Sequence, residues 1–209
     1  MGLDFSGAVT RVVTDRQIAL PASVAAIGAF DGVHRGHQEL IRAAIGEGRA
    51  KGMPSVVWTF DPPPKVFFGQ ARQLMPLDDK LARIGLLGPD WIVVAPFNAT
   101  FARRSADSFL ADLGRINPSS IHVGADFRFG TRQSGDVALL ARHFAVTVAR
   151  PVCCAGGQTI SSSRIRLLAA AGQADQAAAL LAAPLPLATL GGALSTHDTR
   201  QMENHDAWT

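Results

Sequence analysis

Short apolar runs alternate with amphipathic segments along most of this chain, and this alternation constrains the fold more than any other feature. Continuous apolar runs bounded by turn residues are typical of strands buried on both faces of a parallel sheet. The sequence predicts such strands at residues 23–30, 55–60, 91–95, 120–123 and 145–149. Apolar residues at helical spacing predict helices between them, at residues 36–50, 78–87, 105–113 and 136–143. This βαβ spacing indicates an α/β fold with a mostly parallel sheet and helices on both faces.

The loops that follow these strands are expected to meet at one edge of the sheet, because ligands bind beyond the carboxyl ends of parallel strands. They are residues 31–37, 61–69, 96–101, 124–135 and 151–163. Three further elements are predicted: an edge strand within residues 7–20 and helices near residues 161–171 and 174–181. The pattern contains no internal repeat and indicates no second hydrophobic core.

Composition excludes several classes of protein. The 209 residues are 47% hydrophobic and 18% charged, which suits one globular domain with some room for a tail. The formal charge is only +3 and the basic residues form no run, so a nucleic-acid partner is not expected. Adjacent cysteines, Cys153 and Cys154, offer no disulfide framework and favour a reducing compartment. We find no signal-peptide pattern and no apolar run of membrane-spanning length, and therefore expect a soluble, cytoplasmic protein.

The string GAFDGVHRGH, residues 28–37, carries the strongest functional signal. It predicts a strand, an Asp-Gly turn and a helix that begins near His34 and His37. A helix N-terminus offers free N–H groups and partial positive charge, and histidines three residues apart share one helix face. Gly36 allows close approach of a ligand to the backbone. A polyphosphate site explains the whole string; an ordinary loop with solvated histidines, or a pair of metal ligands, explains less of it.

Two aromatic loops suggest a site for a flat ligand. In TFDPPPKVFFG, residues 59–69, three prolines stiffen the chain and Phe67 and Phe68 offer apolar faces. In VGADFRFGTR, residues 123–132, Asp126 is able to accept hydrogen bonds from ligand hydroxyls while Phe129 stacks on a ring. The alternatives are a proline-rich surface turn for the first loop, and core phenylalanines with solvated arginines for the second.

The string ISSSRIR, residues 160–166, predicts a helix capped by serine with Arg166 one turn beyond Ser163. Arginine makes forked hydrogen bonds to phosphate oxygens, so this helix suits the far side of a phosphate site. A capped helix with exposed arginines is the alternative.

Together these strings resemble the FAD synthetase (FMN adenylyltransferase) module of bacterial bifunctional riboflavin kinase/FAD synthetases. The motifs occur in the same order and span about residues 20–180. The resemblance implies a Rossmann-like nucleotidylyltransferase fold, with ATP and FMN as substrates, Mg²⁺ as cofactor, and FAD and pyrophosphate as products.

The resemblance also implies roles for individual residues. The catalytic group would be His34, His37 and Arg166. Nucleotide binding would fall to Gly28, Phe30, Asp31, Gly36, Asp126, Ser162 and Ser163. Flavin binding would fall to Pro64, Phe68, Asp126 and Phe129. No residues are expected to form a metal site of their own, and no covalent intermediate is required.

Two departures from the family pattern stand out. Pro63 occupies a position that is usually histidine, so flavin contacts are expected to differ. The second departure is the expected absence of a riboflavin kinase module and of kinase activity. We expect one FAD synthetase-like domain over residues 1–182 and a flexible tail over 183–209.

Two other functions are considered: adenylyl or nucleotidyl transfer to another phosphorylated acceptor, and non-catalytic binding of flavin nucleotides. Protein partners cannot be read from the sequence.

Overall fold

The computed structural model describes residues 2–4 and 9–181. The described residues form nine strands: β1 (Gly2–Asp4), β2 (Val9–Thr14), β3 (Ser23–Ile27), β4 (Ser55–Asp61), β5 (Trp91–Pro96), β6 (Pro118–Val123), β7 (Arg128–Phe129), β8 (Gly135–Asp136) and β9 (Val146–Val148). They form a seven-stranded sheet in the order β1-β2-β5-β4-β3-β6-β9 and a separate ribbon of β7 and β8. Six neighbouring strands of the sheet, from β2 to β9, are parallel, and β1 pairs antiparallel with β2.

The helices are α1 (Arg35–Lys51), α2 (Pro64–Phe67), α3 (Leu77–Gly85), α4 (Ala99–Ala102), α5 (Ala106–Gly114), α6 (Val137–Ala141), α7 (Ser162–Ala170) and α8 (Ala174–Leu180), with a 3₁₀ turn at Thr131–Gln133. Their ends follow local chemistry. His34 caps the start of α1, and Gly52 ends it in the left-handed conformation that glycine adopts readily. No helix within the described residues has the length and apolar content that spanning a bilayer takes.

The hydrophobic core lies on both faces of the sheet, because side chains alternate along each strand. On β3, Val24 and Ala26 face the side packed against Ile41 of α1. Ala25 and Ile27 face the opposite side, where Phe109 of α5 packs. A smaller cluster joins α7 to α8 through Ile160, Ile165, Ala177 and Leu180. The predicted α/β class, with a mostly parallel sheet and helices on both faces, is confirmed.

The sheet order explains how the functional loops meet. Strand β3 pairs with β4 on one side and β6 on the other, all parallel. Their carboxyl ends therefore open at one edge, with the loop after β3 between the loops after β4 and β6. The loop with His34 and His37, called the histidine loop here (residues 28–37), is thus central. The two aromatic loops, within residues 59–69 and 123–132, flank it.

Three sequence-based predictions need correction. The predicted edge strand within residues 7–20 is wrong in its placement, because β2 lies inside the described sheet between β1 and β5. Strand β3 ends at Ile27 rather than residue 30, since Phe30 has a φ of 47° that no strand accommodates. The loop 124–135 contains the β7–β8 ribbon. The predicted tail, residues 183–209, lies outside the described residues.

Candidate active site

The loop after β3 is built around unusual backbone conformations. Phe30 and Val33 have φ values of 47° and 41°, in the left-handed region that residues with side chains seldom enter. Phe30 folds back over Gly28, where an added Cβ would lie 2.9 Å from its ring. Its ring then meets the edge of the His37 ring, with 5.3 Å between centroids. Such strain persists where packing fixes it, and it is commonest at functional sites.

His34 and His37 form a stacked pair at the start of α1. Their ring centroids are 3.6 Å apart, with 20° between the planes. Nδ1 of His34 accepts a hydrogen bond from the backbone N–H of His37, at 3.4 Å. Gly36 leaves room for this arrangement, because an added Cβ there would approach the His34 ring to 3.3 Å.

Both imidazoles are neutral at pH 7. Burial lowers the pKa of His34 to about 4. Burial, followed by the charges of His34 and Lys80, holds the pKa of His37 well below its ordinary value. Since Nδ1 of His34 accepts a hydrogen bond, its proton sits on Nε2, which is therefore a donor. Nδ1 of His37 is buried without a hydrogen-bond partner within the described residues, so this ring keeps an unused polar atom.

Helix α7 is fastened to the histidine loop through Asp31. Ser162 Oγ donates to the backbone carbonyl of Asp31, at 2.8 Å. The guanidinium of Arg166 pairs with the Asp31 carboxylate, which also accepts from the backbone N–H of Leu74, at 3.0 Å. Arg166 Nε donates to the Arg72 carbonyl, at 2.7 Å. The structure therefore brings Arg166 and Ser162 to the loop that carries both histidines, as the phosphate-site hypothesis requires.

Two other residues that were predicted to bind the nucleotide, Ser163 and Asp126, are more exposed to solvent. Ser163 is exposed in the first turn of α7, whose cap is Ser161. Asp126 is exposed in the turn after β6. Its carboxylate folds back over Gly124, where an added Cβ would lie 3.0 Å from Oδ1. Asp31, by contrast, is buried and its carboxylate is already engaged, so in this structure it positions Arg166.

A chain of phenylalanine rings connects the two flanking loops. Phe68 is 56% exposed and contacts Phe97, with centroids 5.9 Å apart. The chain continues through Phe101 and Phe109 to Phe129. Phe129 is only 7% exposed, because its ring packs against Phe109 and Phe127. Of the predicted flavin residues, Phe68 offers an open ring face, while Phe129 belongs to the core; Pro64 is half-buried at the start of α2.

Several residues at this edge were not predicted from the sequence as site residues. Phe97 and Phe101 lie in a loop that was expected at the edge, but their rings carried no motif that marked them. Lys80 is buried on α3, where its Nζ donates to the Phe60 carbonyl, at 2.7 Å. A signal for Lys80 did exist: with Ile84 and Leu87 it occupies the apolar face of a predicted helix, where a lysine is out of place.

The described residues contain no group of three or more His, Cys, Asp or Glu side chains arranged to hold a metal ion. The buried carboxylate of Asp31 is taken by Arg166. The chain's own residues, as far as the structure describes them, therefore do not form a metal cage.

Comparison with known proteins agrees with this geometry. A sequence model of the FAD synthetase family matches residues 17–164, which include the histidine loop, both aromatic loops and the start of α7. The chain belongs to the FAD synthetase family.

Relatives in this family carry the name bifunctional riboflavin kinase/FMN adenylyltransferase. One from Geobacillus thermodenitrificans is 49% identical over 168 residues, covering 80% of this chain and 94% of that protein. One from Escherichia coli K12 is 34% identical over 174 residues, covering 78% of this chain and 55% of that protein. The chain thus spans about half the length of the E. coli relative.

A solved structure shares the fold. The crystal structure of a macrolide-efflux protein from Streptococcus pneumoniae superimposes with a TM-score of 0.72 and 30% sequence identity. The match covers 85% of this FAD synthetase family member and 63% of the pneumococcal chain.

Proposed function

We propose that this chain is an FMN adenylyltransferase, a nucleotidyltransferase that moves the adenylyl group of ATP to FMN. Its main support is that Arg166 of α7 pairs with Asp31 in the same loop that carries the stacked His34–His37 pair. Membership of the FAD synthetase family supports the same reaction.

The reaction needs no covalent enzyme intermediate. A phosphate oxygen of FMN attacks the α-phosphorus of ATP, the bond from that phosphorus to the bridging oxygen of the β-phosphate breaks, and pyrophosphate leaves. The protein's task is to align the two phosphates and to neutralise charge that develops in the transition state.

The residues divide this task by position. The triphosphate would lie against the N-terminus of α1, where His34 donates from Nε2, the half-buried His37 ring stacks beside it and Gly36 allows close approach. Arg166, Ser162 and Ser163 would hold the phosphates from the α7 side. The fixed pairing of Arg166 with Asp31 gives the guanidinium one orientation before the substrate arrives.

The flavin would lie on the aromatic side of the edge. Phe68 has the open ring face, supported by Phe97 and Phe67, with Pro64 beside it on α2. Asp126 would lie between the nucleotide and the flavin, where an exposed carboxylate accepts from ribityl or ribose hydroxyls. Because Phe129 is buried, its role here is to support the surface from beneath.

Magnesium would enter as part of the substrate. Mg²⁺ binds ATP phosphates readily and needs few protein ligands, which suits a chain whose described carboxylates form no cage. Bound there, it would supply positive charge to the triphosphate.

We also place this activity in the cytoplasm. Cys153 and Cys154 are free thiols, as a reducing compartment keeps them, and ATP is supplied there. Expected partners are the two small-molecule substrates; the expected absence of a nucleic-acid partner stays a prediction.

The decisive experiment incubates purified protein with FMN, ATP and MgCl₂, separates flavins by chromatography and measures pyrophosphate. We expect FAD and pyrophosphate in equal amounts. Replacing FMN by nicotinamide mononucleotide or another phosphorylated acceptor tests whether the acceptor differs from FMN, and riboflavin, which has no phosphate, is the negative control. Binding of FMN and ATP with no pyrophosphate release would instead identify a non-catalytic flavin-nucleotide binder and overturn the proposal.

A further inference from the structure

Lys80 is a charged side chain that is almost completely buried. It lies on α3 and is only 1% exposed. Withdrawing an ammonium group from water is costly unless other groups replace the lost hydration. The described hydrogen bonding supplies one acceptor, the Phe60 carbonyl, at 2.7 Å. A buried lysine with so little hydrogen bonding contributes poorly to stability, which points to another role.

The charges around Lys80 belong to the candidate active site. Its Nζ lies 4.0 Å from Oδ1 of Asp61, an atom that is itself buried with no hydrogen-bond partner within the described residues. Burial lowers the pKa of Lys80, and the carboxylates of Asp61 and Asp31 oppose that effect. Asp31 is the residue that fastens Arg166 and accepts from Leu74. Lys80 therefore contributes positive charge to the surroundings of the carboxylate that joins the histidine loop to α7.

We propose that Lys80 is a positioning residue for adenylyl transfer: its buried charge anchors Asp61 and Asp31 and thereby fixes the histidine loop that receives the triphosphate. Lys80 does not touch substrate in this role. It acts through Asp31, which orients Arg166, and through its effect on His37. This inference rests on the proposed function, since it concerns the same site.

A second consequence of the same geometry concerns protonation. Among the described residues, the charged and titratable groups that act on this position come from several parts of the fold. They are Lys80 from α3, Asp61 from β4, Asp31, His34 and His37 from the loop after β3 and the start of α1, and Arg166 from α7. Lys80 is one of the groups that lower the pKa of His37. Removal of its charge should let that pKa rise, and should move the acid limb of the rate profile to higher pH.

The test replaces the charge with an apolar side chain of similar length, Lys80→Met. We expect kcat to fall about tenfold or more, as loss of alignment at a reacting centre does. The KM for FMN should rise by a smaller factor, because Lys80 holds the Phe60 carbonyl at the start of the loop that carries the predicted flavin residues Pro64 and Phe68. The thermal midpoint should fall, because Met leaves the Phe60 carbonyl and the Asp61 carboxylate without their buried cationic partner. Turnover is therefore compared per folded protein, at a temperature below the midpoint of the variant.

Two further variants serve as an alternative substitution and as a control. Lys80→Gln retains a donor for the Phe60 carbonyl without the charge, so it separates the hydrogen bond from the electrostatic role and replaces Lys80→Met if that variant fails to fold. Lys51→Met is the matched control, because Lys51 pairs with Glu47 near the end of α1, away from the candidate site. The control should keep full turnover.

Titration of the His37 ring by NMR, in wild type and in Lys80→Met, gives a readout that needs no activity. A higher pKa for His37 in the variant, together with a lower kcat measured on folded protein, supports the proposal. An unmoved His37 titration, or a loss of turnover that merely follows loss of folded protein, overturns it. If the wild-type protein forms no FAD at all, the proposed function fails, while the NMR titration still decides the role of Lys80.

Discussion

Acidification should destabilise this protein through the buried imidazole of His34. Its pKa is about 4 in the folded chain, against 6.5 as the ordinary value, because burial opposes the charged form. In the unfolded chain His34 takes up a proton as the pH falls through 6.5, whereas in the folded chain it stays neutral until about pH 4. Protonation thus favours the unfolded state in this window, and stability falls with pH.

The size of the effect follows from the two pKa values. Between pH 7 and pH 5 the difference in protonation of His34 lowers the free energy of unfolding by about 2 kcal/mol, with a limit of about 3 kcal/mol below pH 4. His37 acts in the same direction, because its pKa is also lowered. A decrease of this size in the free energy of unfolding is large compared with the typical stability of a domain, about 5–15 kcal/mol.

The matched variant is His34→Asn. Asparagine is a good helix cap and does not titrate, and in this protein Asn98 already caps α4 by accepting from two backbone N–H groups. Urea unfolding at pH 7 and pH 5 measures the free energy of unfolding of both proteins. Wild type should lose about 2 kcal/mol more than the variant on acidification. Equal losses in the two proteins would show that His34 does not cause the acid sensitivity, because the other acid-sensitive groups are common to both.

Three further outcomes are expected. His37→Ala should keep the circular-dichroism spectrum and lower kcat for FAD formation on the order of 100-fold, since it removes a group placed at the phosphates; near-normal turnover would contradict the assignment. Phe68→Ala, at an exposed ring, should raise the KM for FMN several-fold with unfolding free energy within about 0.5 kcal/mol of wild type, whereas Phe129→Ala should cost about 3–5 kcal/mol in urea unfolding because it empties a core position; the reverse pattern would reassign both rings. Although burial opposes it, hydrogen bonds from Lys51, Ser120 and His122 lower the pKa of Glu47 to about 2. Glu47→Gln should therefore destabilise most above pH 4.5 and progressively less as pH falls toward 2, and urea titrations at pH 7 and pH 3 that showed the same loss would count against this pairing.

The sequence predicted the main sheet because its strands are buried on both faces. Runs such as residues 55–60 and 91–95 have apolar side chains throughout, and β4 and β5 lie where those runs predicted them. Strands β7 and β8 could not be predicted, since two residues carry no period. The antiparallel partner of β2, three residues long, was missed for the same reason.

The candidate site was predicted as a set of motifs, but not in its internal contacts. The sequence predicted helices that begin near His34, at residue 105 and near residue 161, and the structure caps them with His34, Ser105 and Ser161, because capping is local chemistry. The pairing of Arg166 with Asp31 spans 135 residues along the chain and depends on how α7 docks, which no local pattern encodes. The contrast between Phe68 and Phe129 has the same origin, because identical side chains differ only in what the fold packs around them.

We propose that the histidine loop and α7 together support transfer of an adenylyl group to FMN. Its most direct measurement uses ATP labelled at the α-phosphate, with FMN and MgCl₂, and follows the label by chromatography in wild type and in His37→Ala. Label that appears in FAD, in step with pyrophosphate and dependent on His37, is the predicted result. Label that remains in ATP, or emerges only as AMP or ADP, would contradict the account.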